Sequence, residues 1–88
     1  MASGIEALVQ DMRRNPAGIR FAQACRVAEH FFGPPRRSGS HTIYRTPWPG
    51  DPRVNLQDDG GGKAKAYQVR QLLQAIDRLT DGGGQDDG

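Results

Sequence analysis

The chain has a single cysteine and only three Phe, two Tyr and one Trp in 88 residues. No apolar run approaches the roughly 18 residues that a membrane-spanning helix requires. Cys25 alone closes no internal disulfide, and two His with one Cys do not supply the soft ligands of a structural zinc site. The opening residues MASGIEALVQ carry Glu6 where a secretory signal needs positive charge. The expectation is a soluble, cytoplasmic chain without membrane anchor, structural metal or small-molecule cofactor. Hydrophobic residues make up 35% of the chain, and a chain of this size buries only ~60% of its unfolded surface. The core is therefore thin, and chemistry is expected on a surface or in a shallow groove.

Glycine is abundant: 12 residues, six of them in triplets at 60–62 and 82–84, read as flexible hinge and tail. All 12 basic residues lie within 1–80 beside seven acidic ones, whereas 81–88 hold three Asp and no base. Ten of the bases are Arg, whose planar fork suits phosphate. A basic body with an acidic tail fits a nucleic-acid partner as well as an ordinary solvated surface.

Hydrophobic spacing organises the rest. Ile5, Leu8, Val9 and Met12 form one stripe of a short helix over about residues 4–13, ended by Asn15-Pro16. Phe21, Ala24, Cys25, Ala28 and Phe32 form a second, stopped by Gly33-Pro34-Pro35. Cys25 sits on that stripe as a small core residue, and His30 in its last turn is structural. His41-Thr42-Ile43-Tyr44-Arg45-Thr46 and Arg53-Val54-Asn55-Leu56-Gln57 read as strands, with a shorter one around residues 35–38. Val69, Leu72, Leu73, Ile76 and Leu79 mark a last helix from about Ala64 to Thr80, closed by Gly82. The fold class is α+β: a three-stranded antiparallel sheet with helices on one face. The chain divides into an N-terminal helix and turn (1–18), the main domain (19–81) and a disordered Gly/Asp tail (82–88).

Strand parity groups His41 with Ile43 and Arg45. Placing Tyr44 under the helices leaves His41 and Arg45 accessible, with His41 the well-placed group that titrates near neutral pH. Lys63 and Lys65 precede the last helix behind a glycine loop, where helix amides attract phosphate; they read equally as solubilising charges. The spacing is not that of a nucleotide-binding P-loop, because Gln57 and Ala64 stand where Gly and Ser/Thr are needed. Trp48, between two prolines, reads as a lid over the sheet end or as a platform for a base.

Ser38-Gly39-Ser40-His41-Thr42-Ile43-Tyr44-Arg45, then Arg53-Val54-Asn55-Leu56-Gln57, then Gly62-Lys63-Ala64-Lys65 leading into a Leu-rich helix, resemble the HicA toxins, small bacterial mRNA interferases. The resemblance covers roughly residues 19–80. It implies a double-stranded-RNA-binding-domain-like α-β-β-β-α fold, endoribonuclease activity on mRNA with His41 catalytic, and a HicB-type antitoxin that covers the site. On this reading Ser40, Arg45, Lys63 and Lys65 hold RNA and no metal takes part. The chain departs from many relatives at Thr42, where those have a second His, and at Asp58-Asp59, where those have Pro-Arg-His. The alternatives are a non-catalytic RNA-binding module of the same fold, or a protein-interaction domain.

Overall fold

Proline and glycine punctuate the chain where its helices begin and end. In the computed structural model, which describes the backbone of residues 4–85 and the side chains of 4–81, α1 spans Gly4–Arg14 and α2 spans Phe21–Phe32. A 3-10 turn at Pro16–Gly18 joins them, with Pro16 at its first position, where a missing N–H costs nothing. Gln23 Oε1 accepts from Arg20 N–H at 3.1 Å at the head of α2. Gly33 ends the helix with φ +87° while its N–H donates to Glu29 O at 2.9 Å.

Three short strands follow: β1 (Arg36–Ser38), β2 (His41–Tyr44) and β3 (Val54–Leu56). They form an antiparallel sheet in the order β1-β2-β3. Ser38 pairs with His41, so Gly39 and Ser40 alone make the first turn. Gly39 has φ +62° and Ser40 does not have positive φ, the sign pattern of a type II′ turn, whose twist matches that of its strands. Arg36 pairs with Ile43, and Ile43 in turn with Asn55.

The sheet's inner face carries Thr42, Tyr44, Val54 and Leu56, all buried. It packs against α2 through Ala24, Val27 and Ala28, and against the last helix, α3 (Ala66–Gln85), through Val69, Leu72 and Ile76. Met12 brings α1 into the same core, fully buried, and α1 packs on both other helices. The fold is thus α+β in the order α-α-β-β-β-α, with the helices on one face of the sheet. Residues 4–18 contribute to the same core as the rest of the domain. No helix among the described residues is long and apolar enough to cross a membrane.

Two expectations change. The helix α3 runs on to Gln85, past the stop placed at Gly82. Glycine ends a helix where it turns to positive φ; in right-handed geometry it only weakens the helix. Of the tail placed at 82–88, residues 86–88 lie outside the described residues. The second change concerns glycines 60–62, read as a flexible hinge. Phe21 N–H donates to Gly62 O at 2.9 Å, and Ala64 N–H to Ile19 O at 2.9 Å. Asp59 N–H donates to Lys63 O at 2.8 Å, and Lys65 N–H to Gln57 O at 3.2 Å. The loop is a junction that ties the start of α2 to the end of β3.

Candidate nucleic-acid interface

Because Thr42 and Tyr44 point into the core, the alternate residues of β2 face outward. His41 and Ile43 are half-buried there and Arg45 is exposed, as strand parity predicts. Tyr44 is anchored by its hydroxyl, which donates to Cys25 O at 3.3 Å. Burial is the main cause that raises the Tyr44 pKa, and burial likewise raises that of the Cys25 thiol, so both stay neutral near pH 7. Cys25 is a packing residue against the core, as its place in the helical stripe suggests.

The His41 ring is positioned from β3. Its Nδ1 lies 3.1 Å from Asn55 Oδ1. With that amide oxygen as acceptor, Nδ1 carries a proton, and in the neutral ring the lone pair is then on Nε2. No described residue bonds Nε2. Beside His41, Ser40 Oγ accepts from Gln57 Nε2 at 3.4 Å. Gln57 is held in turn by buried Gln68 of α3: Gln57 N–H donates to Gln68 Oε1 at 2.7 Å, and Gln68 Nε2 donates to Gln57 Oε1 at 2.9 Å. An amide relay thus runs from the core to the turn that presents Ser40 and His41.

Lys63 and Lys65 belong to this end of the molecule through the backbone bond between Lys65 and Gln57. The glycine-loop amides bond within the loop. Asp58 Oδ1 accepts from Gly60 N–H at 2.7 Å and from Gly62 N–H at 3.0 Å. Asp59 Oδ1 accepts from Gly61 N–H at 2.8 Å and from Lys63 N–H at 3.3 Å. These bonds, with Gly61 the largest contributor, hold the Asp59 carboxyl below its ordinary range. The N–H groups of the loop are thus taken up by the loop's own carboxylates. Thr42 faces the core, 2% exposed, and contributes nothing to the open face.

Arg45 stands at the far end of the outer row, four residues from His41 and so ~13 Å along the strand. It does not meet Ser40 or the lysines. It borders a groove of about 780 Å³ with Arg36 of β1 and Arg53 before β3. Trp48 closes that end as a lid: its Nε1–H donates to Pro52 O at 2.9 Å, and its ring meets Phe32 edge-on at 6.2 Å. The Arg78 guanidinium lies over the ring, 4.6 Å from its centre, and donates to Asp51 O at 3.2 Å.

Asn55, Gln57 and Gln68 escape a reading by residue type, because amides carry neither periodicity nor charge. Arg36 and Arg53 escape it because only strand register brings them beside Arg45. Among the described residues, no group of three or more His, Cys, Asp or Glu is placed to hold a metal ion. Comparison with known proteins finds no matching family model, no similar curated protein and no similar solved structure.

Proposed function

We propose that this protein is a metal-independent endoribonuclease that cleaves mRNA at His41, a toxin of the kind its motifs resemble. The observation that carries this reading is the state of His41: half-buried on the open sheet face, oriented by Asn55 through Nδ1, with Nε2 bonded to none of the described residues. Imidazole held this way serves as a general base. Nε2 takes the proton of an RNA 2′-hydroxyl, and the oxygen attacks the adjacent phosphorus. The P–O5′ bond breaks as the new P–O2′ bond forms, and the 5′-oxygen leaves with a proton from water. The products are a 2′,3′-cyclic phosphate and a 5′-hydroxyl. Proton transfer of this kind contributes roughly 10²–10⁴-fold, and alignment of the 2′-oxygen with the phosphorus supplies the rest.

Ser40 and Arg45 contact the RNA backbone on either side of His41, and Lys63 and Lys65 add positive charge at the hairpin end. A HicB-type antitoxin covering this face neutralises the activity, and the cytoplasm, where mRNA is available, is the setting. The test is incubation of purified protein with end-labelled RNA in chelator. Cleavage is expected, together with resistance of the matching DNA, which lacks the 2′-hydroxyl. His41→Ala is expected to lose cleavage and growth inhibition while retaining RNA. Retained RNA without any cleavage by the unmodified protein would instead mark a non-catalytic RNA-binding module.

A further inference from the structure

At the end of the sheet away from His41, three arginines line one groove, and no carboxylate among the described residues lines it with them. Arg36, Arg45 and Arg53 are exposed and line one groove of about 780 Å³. The ion pairs Arg13–Asp77 and Arg14–Asp11 lie outside this groove. Ile43, Phe32 and Trp48 contribute apolar side chains to the same lining. Arg36 and Ile43 are register partners, and Ile43 lies between His41 and Arg45 in the outward row of β2. The groove therefore continues the face that presents His41.

Resting on the ribonuclease reading, we propose that this groove is a nucleotide subsite for unpaired RNA, seated a short way along the strand from the bond cut at His41. Charge and shape both select this occupant. Planar guanidinium forks match phosphate oxygens, and the apolar side chains in the lining, Ile43 foremost because it lies opposite Arg36 and next to Arg45 on the outward row, give a base something to pack on. A volume of this size falls within the ~300–1,000 Å³ range of small-molecule sites and admits an unstacked nucleotide. In an A-form duplex the bases are stacked inside and only shape and backbone are offered, so the apolar side chains of the lining would be left without a partner. The ~13 Å between His41 and Arg45 separates the scissile position from the subsite on one continuous face. The substrate class is thus single-stranded RNA, although the fold resembles a duplex-binding domain.

Trp48 is the single tryptophan of the chain, and its fluorescence reports on the groove wall directly. The probe is a 2′-O-methyl RNA octamer, whose blocked 2′-oxygen prevents cleavage. The octamer is expected to change Trp48 fluorescence saturably, and a duplex of the same sequence to bind at least tenfold more weakly. The double variant Arg36→Ala/Arg53→Ala is expected to lose at least tenfold in octamer affinity with an unchanged melting temperature, since both side chains are exposed. The salt dependence of binding should become shallower in that variant, because fewer phosphates are neutralised. Equal affinity of the variant and the unmodified protein would overturn the proposal, as would equal binding of the duplex. Tighter binding of polyglutamate than of the octamer at matched charge would overturn it in favour of an acidic protein partner. The octamer is not cut, so its binding is read independently of catalysis. Octamer binding lost in the double variant, with no cleavage of ordinary RNA by any form, would support the groove and sink the role of His41.

Discussion

Asn55 on β3 reaches diagonally across the sheet to His41 on β2, its Oδ1 3.1 Å from Nδ1. Asn55 sits directly opposite Ile43, one outward position along from His41, a spacing within reach of long polar side chains. The contact fixes both the plane of the imidazole and the nitrogen that keeps its lone pair.

If that orientation serves catalysis, Asn55→Ala should leave His41 in place with a free rotor. The expected result in steady-state cleavage of labelled RNA is a fall in kcat of roughly tenfold, a fraction of the ~10²–10⁴-fold assigned to proton transfer, with KM little changed. Asn55→Gln, which retains an acceptor on a longer arm, is expected to restore part of the loss. An unchanged kcat in Asn55→Ala would remove Asn55 from the mechanism.

The Gln57–Gln68 pair makes a separate prediction about stability. Gln68 is 2% exposed and spends both ends of its amide on Gln57. Gln68→Leu keeps the volume and strands the Gln57 N–H, a loss that costs about 1–3 kcal/mol. Urea unfolding is expected to show a lower midpoint with an unchanged slope. The exchange rate of the Gln57 amide hydrogen should rise with it.

Asp59 gives a pH dependence with a definite sign. Amide bonds from Gly61 and Lys63 hold its carboxyl below the ordinary value in the folded state. A carboxyl lowered on folding contributes stability above its unfolded pKa of about 3.9, and that contribution disappears as pH falls through the lower, folded value. Asp59→Asn is therefore expected to flatten the acid limb of the melting-temperature profile below about pH 4. An acid limb that is the same in both proteins would contradict this.

The thin core predicts sensitivity to truncation. Leu72 of α3 and Met12 of α1 are fully buried in one cluster. Leu72→Ala and Met12→Ala should each cost about 2–5 kcal/mol, a large share of what a domain this small possesses. A comparable loss at Met12, measured by thermal unfolding, would establish α1 as part of the cooperative unit. A loss below about 1 kcal/mol would make it an appendage.

Much of the architecture follows from spacing that can be read without coordinates. The stripes that end in Met12 and Phe32 give α1 and α2, and the alternation from Arg53 to Gln57 gives β3 and its inward Val54 and Leu56. The face of His41 follows from parity once Tyr44 is buried. The rest depends on partners distant in the chain. Arg36, Arg45 and Arg53 become neighbours only after two hairpins set their register, and Gln68 acquires its role only when α3 docks beside β3. Asp58 and Asp59 did carry a local signal, since aspartate readily accepts from amides two residues on. At Gly82, composition suggested a stop that the backbone of α3 does not take.

The unbroken helix α3 touches both ends of the open face from behind. Gln68 secures the turn that presents His41, and Arg78 clamps the Trp48 lid beside the arginine groove. Ten residues of helix separate them, ~15 Å at 1.5 Å per residue. The helix thereby sets the spacing between these two ends from the side of the sheet opposite the open face. On the proposed reading it would fix how many nucleotides separate a bond cut at His41 from a nucleotide seated in the arginine groove. Fragments protected at the groove side should have one characteristic length, set by the protein and not by the RNA.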